Sequence, residues 1–252
     1  HEVQALADSL NAAGLSAEAR TLDVCDSRAV TALFETLARC DALVNNAGTN
    51  KPQPVLEVDE ATLDTLLDIN VRAAFVVAQA AARRMTALGR GGAIITMSSQ
   101  MGHVGAARRS VYCMTKHAVE GMTKAMAVEL APQGIRVNTV APTFVETPMT
   151  ASFLDDPVFR HWVLERIPAG RLAAVDEVAA AVAFLASPGR QAWPDRAADA
   201  RSPAGAPILL PRPARRRTTA LHHADGRPAV CQRAFPCDPD RRAATAPDGR
   251  SG

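Results

Sequence analysis

The chain has 252 residues, 48% of them hydrophobic and 21% charged, with a formal net charge of +2, enough apolar material for one domain with a sizeable core. No apolar run reaches the roughly 18 residues of a membrane span, which argues against an integral membrane protein. Five cysteines, an odd set without CxxC spacing, argue against a disulfide framework and for a reducing compartment, the cytoplasm.

In chain order, the apolar spacing of Val3, Leu6, Ala7 and Leu10 predicts a helix over residues 2–13, with Gly14 as its C-terminal cap. Glu18 to Val24 predicts a short strand, after which Asp26 or Ser27 caps a helix running to about Arg39. Ala42, Leu43 and Val44 form a short apolar strand of the kind buried in parallel sheets, and Asn45, Asn46, Ala47 and Gly48 form the turn at its end. A long helix, or two, is predicted from Asp59 to Leu88, closed by the glycines at 89, 91 and 92. Gly92 to Ser99 is the next strand, about Ser110 to Ala131 the next helix, and Ile135 to Pro142 a further strand.

Between Thr143 and about Arg171 the pattern loosens among Pro148, Pro157 and Pro168, either as a flap over a site or as an ordinary surface excursion. Val175 to Leu185 is an amphipathic helix with Asp176 and Glu177 in its first turn, where they suit the helix dipole. Strand and helix alternate throughout, so the predicted fold class is α/β, a doubly wound parallel sheet.

The chemistry concentrates between Ser99 and Lys116. Tyr112 is the only tyrosine in the chain, and Lys116 follows it at i+4, so a helix places phenol and ammonium on one face. A neighbouring cation favours phenolate, and bringing a tyrosine from about 10 to near neutrality takes on the order of 4 kcal/mol. In open α/β sheets ligands bind beyond the carboxyl ends of the strands, and the motifs NNAG, SS and APTFVET each follow a predicted strand.

NNAG at 45–48, Asn70 in DINVRAAF, Ser99, Tyr112 and Lys116, taken together and in this order, resemble the short-chain dehydrogenase/reductase family. The resemblance covers about residues 1–188. It implies a Rossmann-like fold and hydride transfer between NAD or NADP and a carbonyl or secondary alcohol. By matching position, Tyr112 is the acid/base, Lys116 lowers its pKa and binds the nicotinamide ribose, Ser99 donates to the substrate oxygen, and Asn70 holds a water in the proton relay. Asp23 and Val24 match the pair contacting the adenine, and Asn45, Ala47 and Gly48 match the turn beside the adenosine ribose. Pro142 and Thr147 match positions flanking the nicotinamide, with Thr143 where the family has glycine. The expected substrate is a small carbonyl or alcohol. A 3-oxoacyl thioester and a sugar-derived polyol or keto acid both fit, and the scarcity of aromatics favours a small polar molecule. The family also implies a homo-oligomer, a tetramer in the intact parent.

Two departures shape the expectations for the ends. The family's first strand, its Gly-rich TGxxxGxG turn and its second strand have no counterpart, so the chain reads as N-terminally truncated. Glu18 to Val24 would then lack a neighbouring strand and be poorly held. The family's last strand is missing after Pro188 as well. Residues 189–252 hold 12 Arg, no Lys and 9 of the 17 prolines, and read as a disordered tail or the product of a frame slip. A nucleic-acid arm and a zinc site at His222, His223, Cys231 and Cys237 are disfavoured readings of that tail. The competing functional reading is an inactive relative that associates only through its helices.

Overall fold

The computed structural model describes residues 2–147, 150–151 and 154–187. Among these, three strands, β1 (Ala42–Asn45), β2 (Gly92–Met97) and β3 (Ile135–Val140), form one parallel sheet in the order β1-β2-β3. Around it lie α1 (Glu2–Ala12), α2 (Ser27–Thr36), α3 (Glu60–Leu67), α4 (Ala74–Leu88), α5 (Ser110–Leu130), α6 (Pro157–Leu164) and α7 (Val175–Ala186). The calls made on residues 189–252 lie outside the described residues.

Register explains the layering. Leu43 stands opposite Ile94 and Ile94 opposite Val137, so these three share one face, and they pack there against Ala78, Ala81 and Met85 of α4. Side chains alternate along each strand, which puts Ala93, Ile95 and Val140 on the other face, under Val178, Val182 and Leu185 of α7. Ile94, Ile95 and Met85 are fully buried, each contributing roughly 1.5–3 kcal/mol of hydrophobic burial. The doubly wound arrangement is therefore present at β2 and β3.

β1 differs from its expectation as a strand buried on both faces. Val44 is 47% exposed, because the helix covering that face lies chiefly over β2 and β3. Glu18 to Val24 also departs from expectation, being coil rather than strand. Among the described residues no strand lies beside it to pair with; Leu22 and Val24 insert instead against Val30, Val77 and Ala80.

The long helix forms as two helices joined by a π-helical turn, Asp68–Ala73, with Asp59 as its N-cap accepting from the Thr62 amide and Gly89 as its left-handed C-cap. The joined run Glu60–Leu88 has 29 residues and is long and apolar enough to cross a membrane, although no uninterrupted apolar run suggested one. Half of its most apolar window is buried within the protein, and the α4 residues Ala78, Ala81 and Met85 face the core cluster of the sheet. Within the loosely patterned stretch after Thr143, the structure adds α6, capped by Asp156. Its Phe159, Trp162 and Val163 build a separate small core with Phe144, Leu154 and Leu172, tied back by a parallel bridge between Val145 and Ala173.

Candidate active site

The carboxyl ends of all three strands meet in one place. Asn45 ends β1, Ser98 and Ser99 follow β2, and Pro142 follows β3. Two backbone bonds lock the last two exits together: the Ser98 amide donates to the Val140 carbonyl at 2.8 Å and the Gln100 amide to that of Pro142 at 2.9 Å. Buried Asn45 donates through Nδ2 to the Ala74 carbonyl at 2.8 Å, which fixes β1 to the start of α4.

Ser99 is extended and opens a 3₁₀ turn, Gln100–Gly102, its Oγ accepting from the Met101 amide at 3.2 Å. Tyr112 lies in the first turn of α5 and Lys116 one turn later, its Nζ 5.6 Å from the centre of the Tyr112 ring. Lys116 is 7% exposed and donates to the Met97 carbonyl at the end of β2 at 2.7 Å. Burial lowers its pKa to about 8, against the opposing pull of the Glu120 carboxylate. Burial raises that of Tyr112, while a hydrogen bond with Ser99 and the charge of Arg109 act in the opposite direction. Arg109 is one cation that draws the phenol's pKa down, and the Lys116 ammonium, engaged with the strand-end carbonyl, lies over the same ring.

Asn70 sits in the π turn, 2% exposed. Its side chain embraces the backbone of Thr49, accepting from the amide and donating to the carbonyl at 2.8 Å each, and reaches Thr115 Oγ1 at 3.3 Å. π turns recur at functional sites. Here the carboxamide holds the loop after β1. Gly48 lies in that loop, and a Cβ there would stand 3.2 Å from Asn70 Oδ1 and 3.8 Å from Lys116 Nζ; the missing side chain leaves room beside the ammonium for a ribose hydroxyl. Tyr112 and Lys116, with Gly48 of the turn expected at the adenosine ribose beside the ammonium, are the residues that would hold a dinucleotide, which would supply or take hydride when bound.

The remaining candidates are not drawn into this cluster by their side-chain contacts. Asp23 accepts from the Cys25 amide in its own turn, and Val24 packs with Val30 and Val77. Ala47 is exposed. Thr147 accepts at its carbonyl from the amides of Thr150 and Ala151. Sequence reasoning missed Glu120, which sits at i+4 from Lys116 on the same helical face and is 3% exposed; its spacing was a usable signal. A cavity of about 680 Å³ opens beside the Ser99 turn, walled by Met101, Arg109, Phe144, Phe159, Trp162 and Arg166, all but Met101 in the two stretches, Gly102 to Arg109 and Phe144 to Ile167, that the sequence offers for substrate contact. Three aromatics meet here: Phe144 stands edge-on to Phe159, Phe159 stacks on Trp162, and the Arg166 guanidinium lies 4.0 Å above the Trp162 ring. No group of three or more metal-ligating side chains occurs among the described residues.

Residues 1–193 match the family described as enoyl-(acyl carrier protein) reductase. L-xylulose reductase of Mesocricetus auratus is 41% identical over 184 residues, spanning 73% of this chain and 75% of that protein. Gluconate 5-dehydrogenase of Gluconobacter oxydans is 36% identical over 180 residues, 70% of each. The crystal structure of a gluconate 5-dehydrogenase from Burkholderia cenocepacia, in complex with NADP and tartrate, superposes with a TM-score of 0.72 at 34% identity over 75% of both chains. With the sheet, the π turn and the strand-end cluster, these likenesses show that the chain belongs to the short-chain dehydrogenase/reductase family of NAD(P)-dependent oxidoreductases.

Proposed function

We propose that this site interconverts a secondary alcohol and a carbonyl with Tyr112 as the acid/base. The carrying observation is Tyr112 standing by the Ser99 turn with Lys116 buried one helical turn behind, its Nζ 5.6 Å from the centre of the phenol ring. In the reductive direction, Tyr112 gives its proton to the carbonyl oxygen, the hydride being what a bound nicotinamide would supply to the carbonyl carbon; in oxidation Tyr112 takes the proton back from the alcohol. The upward pKa of Tyr112 suits it to holding that proton until the oxygen gains charge. Ser99 donates to the same oxygen and stabilises the developing negative charge. Lys116 supplies a fixed positive charge and a donor for the ribose, and Asn70 keeps the loop bearing Gly48 against it.

The substrate class is a sugar-derived polyol or keto acid. Arg109 and Arg166 bring hydrogen-bond donors to the cavity, and Phe159 and Trp162 offer a flat wall for the C–H face of such a molecule. The names of the related L-xylulose reductase and gluconate 5-dehydrogenase support this choice. The protein is further proposed to be cytoplasmic, consistent with the free thiols of Cys25, Cys40 and Cys113, and to be a homo-oligomer.

Phe75 of α4 and Met114 and Val128 of α5 are 44%, 46% and 63% exposed, an apolar surface that another copy would cover. The same surface favours the second reading, an inactive chain that only associates. Titrating the protein with NADPH while measuring its mass by light scattering separates the two. The oxidoreductase reading expects both binding and a multiple of the 26.6 kDa chain mass; an oligomer that takes up no NADPH at millimolar concentration leaves only the second.

A further inference from the structure

Glu120 is the buried charge that the proposed reaction leaves unused. It is 3% exposed and continues the Tyr112, Lys116 spacing by a third step of four along α5, so all three side chains share a face. Its Oε2 accepts from Thr139 Oγ1 of β3 at 3.2 Å, and its Oε1 lies 3.5 Å from Nε2 of His103. His103 directly follows the 3₁₀ turn that Ser99 opens. That turn is pressed onto the helix: a Cβ on Gly102 would stand 3.0 Å from both Glu120 Cγ and the Lys116 carbonyl, and 2.9 Å from Ser98 Oγ. A carboxylate this deep is strongly unfavourable unless its oxygens are hydrogen-bonded and its charge is answered. Here Thr139 of β3 donates to one oxygen, the His103 imidazole lies 3.5 Å from the other, which has no hydrogen-bond partner, and Lys116 stands one helical turn away on the same face.

We propose that Glu120 is a positioning residue of the active site, a carboxylate clamped between Thr139 and His103 that keeps Lys116 charged from one helical turn behind it. The proposal rests on the reading of Lys116 as part of the site and extends it. Burial of Lys116 among strand ends discourages its ammonium, and the countercharge of Glu120 is the cause that opposes this. With Glu120 neutral, the strand-end carbonyl of Met97 and the Tyr112 ring would remain to favour the charged form.

The chain has only three lysines, Lys51, Lys116 and Lys124, so lysine labelled with ¹³C at Cε gives each a traceable NMR titration in the full chain, without cofactor or turnover. The expected result is that Glu120→Gln moves the Lys116 midpoint to lower pH, that Glu120→Asp leaves it near the parent value, and that Lys51 and Lys124 do not move. Should the Gln variant not fold, Glu120→Met, which replaces the carboxylate by an apolar chain of similar length, is read the same way. An unchanged Lys116 midpoint in either folded variant overturns the proposal. A shifted midpoint in a protein that transfers no hydride supports the positioning role and counts against the proposed reaction; turnover with an unshifted midpoint does the reverse.

Discussion

Lys116 is held against its own preference. A lysine titrates near 10.5 when solvated, and here burial brings it to about 8, a difference worth on the order of 3 kcal/mol. The sign follows from proton counting. Between about 8 and 10.5 the unfolded chain binds the extra proton, so this residue makes stability rise with pH across that window, and its full cost is present below it. Lys116→Met should therefore stabilise the protein at pH 7 by about 1–3 kcal/mol, less what the Met97 carbonyl forfeits in losing its donor. In urea melts over pH 7–11 the gain should shrink toward zero above about 10.5, even as activity is lost. A gain independent of pH would mean that the ammonium is not held at a cost. The pairing of Tyr112 and Lys116 was legible from spacing, because two side chains four apart need only a helix to meet. The role of Glu120 was not. A charged residue on a helix usually faces water, and only the packing of β3 and the Ser99 turn shows that this one does not.

Elements were legible where they carry their own punctuation. Asp59 and Gly89 delimit α3 and α4 as their chemistry predicts, and the three strands fall where β-branched and apolar residues are continuous. The strand expected at Glu18 to Val24 failed because a strand is a property of a pair, and its apolar residues found a helix to pack on instead. α6 went unseen because Phe159, Trp162 and Val163 are spread among prolines and charges, and their common core with Phe144 and Leu172 is formed across sequence. The joint between α4 and β2 offers a sharp test at this scale. Gly91 has a φ of 65°, and a Cβ there would stand 2.6 Å from the Gly134 carbonyl oxygen. Gly91→Ala adds a left-handed strain of roughly 1–2 kcal/mol to a clash with backbone that cannot rotate away, about 2–4 kcal/mol in all. Gly89→Ala, at a φ of 64° but with nothing within 4 Å, should cost only the strain. Equal losses for the two variants in denaturant titrations would show that the Gly91–Gly134 approach does not constrain the fold.

At the scale of the molecule, the sheet brings three loops to one edge, and each brings one part of the chemistry. The loop after β1 brings Gly48, held by Asn70; the turn after β2 brings Ser99; the exit of β3 locks to that turn. Convergence of this kind was legible in the sequence because parallel strands all end on the same side. The shape of the cavity was not, since the aromatic wall comes from a lobe with its own core. The central claim is that this converged site moves a proton through Tyr112. It is tested most directly by comparing the parent chain with Tyr112→Phe for NADPH binding and for NADPH-dependent reduction of a keto sugar or keto acid, such as L-xylulose or 5-ketogluconate. The account predicts unchanged binding and a loss of turnover of about 10²–10⁴-fold; a variant that binds NADPH and turns over at the parent rate would contradict it.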